Sequence, residues 1–191
     1  MSRRAYIAAL AGASLGALVI LSSACATAPK TKAERSALLN DADATLATMT
    51  AESPRLNDLV ERAHGYVVFP SIGKGGVLVG GAYGRGVVYE RAQPIGYAEM
   101  NQASFGAQLG GQTFSEIVVF ETAGDLEELK DGRFSLGAGA GVVVLKEGAA
   151  RGLEFQDGVA VAIKPIGGLM VDVSVSGQQM NFETIGAATV R

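Results

Sequence analysis

Apolar residues recur at near-helical spacing from Lys32 to about Thr50, at Ala33, Ala37, Leu38, Ala42, Leu46 and Met49, with Glu34, Arg35, Asp41 and Asp43 between them. That spacing predicts an amphipathic helix. Ser53 followed by Pro54 has the form of a helix N-cap and first position, Leu56, Leu59, Val60 and Ala63 make one face, and Gly65 suits the stop, so a second, shorter helix is expected. Beyond Gly65 the pattern changes. Short runs of Val, Ile, Tyr and Phe at 66–69, 77–83, 86–89, 105–109 and 114–120 are separated by glycines and read as strands. From Thr122 to Leu129, early acids (Asp125, Glu127, Glu128) and the late Lys130 suit a short helix with its dipole complemented. Further strands are expected at 134–145, 159–164 and 169–176. In the last, Val171, Val173 and Val175 alternate with Asp172, Ser174 and Ser176, the pattern of a half-buried antiparallel strand.

Glycine changes the picture. The chain has 26 in 191 residues, and they cluster inside the expected strands, where glycine marks bulges, bends or close backbone approach. The expected fold is therefore α+β, with N-terminal helices packed on a strongly coiled, glycine-rich, mostly antiparallel sheet or partial barrel.

The first 26 residues read differently from the rest. Arg3 and Arg4 precede an uncharged apolar stretch that ends at Ser22-Ser23-Ala24-Cys25-Ala26, the order of an export leader. Residues 1–24 are expected to be a signal peptide of lipoprotein type, 25–31 a tether, and 32–191 one folded domain. Cys25, the chain's single cysteine, is the candidate lipid-attachment residue. The alternative cut, an A-x-A site at Ala24-Cys25-Ala26, would yield a soluble periplasmic or secreted protein. Ser2-Arg3-Arg4 also has the look of a twin-arginine signal. With Ala26 in place of the aspartate that commonly retains lipoproteins at the inner membrane, an acylated chain is expected at the outer membrane, facing the periplasm.

Losing Arg3 and Arg4 with the leader takes the formal net charge from −3 to −5, which argues against a nucleic-acid partner. Nucleotide loops also fail. Gly73-Lys74-Gly75-Gly76 lacks the glycine required five residues before the Gly-Lys pair, where Val68 stands, and the hydroxyl residue after the lysine, where Gly75 stands. Gly137-Ala138-Gly139-Ala140-Gly141 runs into Val142, Val143 and Val144 as a strand and not into a helix. With one histidine, His64, and one cysteine, neither a nucleophilic triad nor a clustered zinc site assembles in the usual way. Among the acids, Glu116, Glu121 and Asp125 lie nearest in sequence. No enzyme activity and no cofactor are expected.

The run Val68-Phe69-Pro70-Ser71-Ile72-Gly73-Lys74-Gly75-Gly76-Val77-Leu78-Val79-Gly80-Gly81-Ala82-Tyr83-Gly84-Arg85-Gly86 resembles the opening of the SYLF domain, a lipid-binding module of endocytic and actin-regulating proteins. The likeness continues through 103–112, 134–139 and 167–177, and covers nearly all of residues 35–185. The resemblance implies membrane phospholipid as the partner of a non-enzymatic protein. Lys30, Lys32 and Arg35 beside the expected anchor, and Lys74, Arg85 and Arg91 in or beside the first glycine-rich hairpin, are the candidate lipid-phosphate contacts. Val77, Val79, Phe105 and Leu169 are expected to line an acyl-chain groove or fill the core. The alternative function is an envelope scaffold that binds another protein through a sheet edge or through the helix beginning at Lys32.

Overall fold

The structure, a computed structural model, describes residues 28–136, 142–145 and 152–186. Three helices, α1 (Lys32–Glu52), α2 (Pro54–Arg62) and α3 (Ala123–Lys130), accompany β1 (Gly65–Glu90), β2 (Gln93–Phe120), β3 (Ser135–Leu136), β4 (Val142–Val144) and β5 (Val159–Thr184). Among the described residues the strands form one sheet in the order β1-β2-β5-β3, antiparallel throughout, with β4 added parallel to β5. The fold is α+β with a strongly curled sheet.

The helix ends follow local chemistry. Thr31 and Glu34 form a reciprocal capping box at α1, and Thr122 and Asp125 form another at α3. Ser53 closes α1 and opens α2: its N–H donates to the Met49 carbonyl and its hydroxyl accepts from the Leu56 N–H. Ala33 and Ala37 stay exposed, so the face of α1 that packs on the sheet begins at Leu38 and continues through Leu39, Ala42, Leu46 and Met49.

The short strands expected on either side of glycines are continuous in space. β1, β2 and β5 run for 26, 28 and 26 residues. Drawn straight, a strand of that length would reach about 90 Å, far beyond the diameter of a domain this size. The strands instead double back. A Cβ on Gly76 would lie 2.4 Å from the Gly80 Cα, one on Gly84 would lie 2.6 Å from Ile72 Cγ1, and one on Gly86 would lie 2.5 Å from the Val68 carbonyl oxygen. Residues on either side of Val77 and Leu78 are thus brought together, and Leu78 turns the corner with φ 65 at a register shift between Val77 and Val79. β2 and β5 turn beside it through Gly106, Gly110 and Gly168, all at positive φ.

Folding back makes both halves of each long strand wall the same space. Val67, Phe69, Val88, Met100, Val118, Phe120 and Met180 meet in one core, closed by Leu126 and Leu129 of α3 and by Phe134 and Leu136. Their sequence neighbours Tyr66, Val68, Val87, Tyr89, Ile117 and Val119 face the other way, into a second core under α1 and α2 with Met49, Leu56 and Leu59. This is the period of two expected of a sheet buried on both faces. The Tyr66 and Tyr89 rings stack 5.0 Å apart, and the Tyr89 hydroxyl donates to Asp43 of α1 at 2.6 Å. On the other side, Lys130 of α3 reaches Glu90 at 3.0 Å, and Glu90 also holds His64 at 2.9 Å.

The same substitution at two glycines tests the fold-back. Gly86→Ala sets a methyl against backbone and is expected to destabilise by about 2 kcal/mol, the overpacking range, whereas Gly73→Ala, with nothing within 4 Å, is expected to change stability by under about 0.5 kcal/mol. Urea unfolding midpoints of the two variants check this; equal losses would refute close approach at residue 86.

Candidate functional site

The two ends of the curled sheet differ in kind. One end, the base, holds both cores, the helices and the β1–β2 turn, where Arg91 and Ala92 both take positive φ as a tight two-residue hairpin turn requires. Ala28 and Pro29 are buried there, and the Ala28 N–H donates to Glu183 Oε2 at 3.0 Å. Lys30 and Lys32 are exposed beside them, while Arg35 Nε donates back to the Pro29 carbonyl at 2.9 Å and is half-buried. Cys25 and the leader lie outside the described residues.

The other end is the corner. The cores stop at Ile72, Ala82 and Phe114, and beyond them Val77, Leu78, Val79, Phe105 and Leu109 are 59% to 68% exposed. Val77 pairs with Leu109 and Val79 with Phe105 across the β1–β2 ladder, so each pair shares a face. The expectation that Val77, Val79 and Phe105 fill the core is overturned, for they belong to neither core and stand exposed to solvent. The Leu169 side chain lies outside the described residues. From Tyr97, the partner of Glu183, to Phe105 the path along β2 is about 26 Å.

The six candidate cations do not converge. Lys30, Lys32, Arg35 and Arg91 belong to the base, whereas Lys74, opposite Gln112, stands beside the corner. Arg85 lies between them in β1 opposite Glu99, with its guanidinium 5.9 Å from the Tyr83 ring centre. Glu99 is buried and accepts from the Tyr83 hydroxyl at 3.2 Å and from Asn101 Nδ2 at 3.1 Å. This is a polar belt below the corner. Two features escape the sequence reading. One is the outward setting of Leu78 and Leu109, whose signal is the lack of any charged residue between Lys74 and Arg85 or between Glu99 and Glu116. The other is the burial of Glu116.

Glu116 is buried and its Oε1 accepts from Gln178 Nε2 at 2.8 Å. Burial pushes its carboxyl from 4.5 up to about 7, opposed by the Gln178 amide. Asp125, by contrast, is occupied in its capping box, and Glu121 is exposed, so the three acids form no common site. Among the described residues no group of three or more His, Cys, Asp or Glu side chains is placed to hold a metal ion. No described helix is long and apolar enough to cross a membrane.

No family profile matches the chain. It is 28% identical over 153 residues to a protein named beta cell expansion factor A from Aeromonas veronii, across 79% of this chain and 58% of that protein. The match thus spans less than two thirds of the relative.

Glu116 makes stability depend on pH. Its folded value lies above the unfolded one, so the folded chain holds a proton that the unfolded chain releases, and stability falls as pH rises from about 4.5 to about 7. The fall is on the order of 3 kcal/mol. Glu116→Gln, which keeps the shape and removes the charge, is expected to flatten that slope and to exceed the parent in stability at pH 8. Urea midpoints at pH 5 and pH 8 read this directly; an unchanged slope in the variant would assign the dependence elsewhere.

Proposed function

We propose that this chain is a non-enzymatic, lipid-binding lipoprotein of the cell envelope, anchored by acylated Cys25 and meeting phospholipid through a SYLF-like domain at the outer membrane. One observation carries the reading: the tether is docked and not free. Ala28 is fixed to Glu183 at the base, and the three residues back to position 25 span at most about 11 Å. An acyl group on Cys25 would therefore bring the base to the bilayer, with Lys30 and Lys32 exposed at headgroup depth. Several acyl chains, each contributing about 0.8 kcal/mol per buried methylene, supply durable attachment. The basic side chains then add a contact sensitive to lipid charge. The distant likeness to beta cell expansion factor A is compatible with a SYLF-like domain.

Mass spectrometry of the mature N-terminus is expected to find diacylated or triacylated Cys25, and Cys25→Ala to release the chain from membranes. A mature chain beginning at Thr27 would sink the anchor. With Lys30→Glu and Lys32→Glu together, vesicle flotation at low salt is expected to lose its preference for anionic over zwitterionic lipid, by roughly tenfold for two headgroup-level charges. An unchanged preference would remove these lysines from the lipid contact.

A further inference from the structure

We propose that the corner of the curled sheet is a second lipid contact, which inserts Val77, Leu78, Val79, Phe105 and Leu109 into the hydrocarbon layer of a bilayer. The inference rests on the lipid-binding reading above but on different residues, at the opposite end of the domain. The first ground is charge. Strand β1 carries none between Lys74 and Arg85 and β2 none between Glu99 and Glu116, whereas β5 places Asp172 at the corner, opposite Gln108. In β1 and β2 such segregation suits hydrocarbon, where each charge is costly.

The second ground is shape. The side chains sit at a bend where the backbone doubles back at Gly76 and Gly80 and are mostly exposed, so they project outward. A stable protein partner needs about 800 Å² of complementary surface, whereas lipid closes around any protrusion. The third ground is the order of polarity below the corner. Gln102, Gln112, Thr113 and the 42%-exposed Tyr83 follow the apolar residues, with Lys74 at the same level. Tyrosine and lysine at that depth match the interface between hydrocarbon and headgroups.

The chain contains no tryptophan, so one introduced residue reports on its own position. In the full chain, Phe105→Trp is expected to shift its emission to the blue on addition of phosphatidylcholine vesicles and to be quenched by lipids brominated on the acyl chains, with no loss at high salt. Val79→Trp should behave likewise, and Gln93→Trp at the base turn, at headgroup depth at most, should escape quenching by the acyl-chain bromines. Circular dichroism establishes that the variants are folded. Flotation of the same samples separates the two readings. Chains that float while the tryptophans at 79 and 105 stay unquenched overturn the corner contact and leave lipid binding standing. Chains that do not float overturn both. A blue shift without lipid that grows with protein concentration identifies a second copy of the chain as the occupant and also overturns the proposal.

Discussion

Three strands too long for the domain that contains them set the rest of the structure. Strands of 26 to 28 residues fit only by reversing direction, and the reversal demands positions where two backbones touch or where φ turns positive. Gly76, Gly84 and Gly86 supply the first in β1; Gly106, Gly110 and Gly168 supply the second in β2 and β5. Once the strands have doubled back, the interior is defined from both sides. α3 then has a place to dock, and α1 and α2 have an outer face to cover. The corner side chains, beyond both cores, are left exposed.

Much of this was legible in the sequence. The boundary between α1 and α2 came through because capping is local: Ser53 with Pro54 acts within one turn of itself. A curled sheet was legible because glycines inside apolar runs need a reason, and bending is the commonest one. Strand continuity was not legible. A glycine that interrupts a strand and a glycine at which a strand bends look alike until long-range neighbours such as Val68 and Gly86 are known.

The same limit explains the site. Val77, Val79 and Phe105 have the residue types of a core, yet they stand exposed beyond both cores. Glu116 is the converse case. In sequence it is one acid among several, and its burial follows from a register that sets it between Phe69 and Ile163 on the neighbouring strands. The six candidate cations show the same bend, which distributes basic residues spaced along a folded-back strand between opposite ends.

Magnitudes decide which end dominates any contact with lipid. The expected mature domain carries a formal net charge of −5, so an anionic surface repels the body while attracting Lys30 and Lys32. Each lysine near such a surface is worth about 1 kcal/mol and is weakened by salt. Each Val, Leu or Phe moved fully out of water is worth about 1.5 to 3 kcal/mol, independent of lipid charge. Five such side chains at the corner, even partly transferred, outweigh two exposed lysines at the base. In the proposed lipid contact, the lysines would therefore tune which surface the base prefers, and the apolar corner would provide an affinity that a negatively charged domain otherwise lacks.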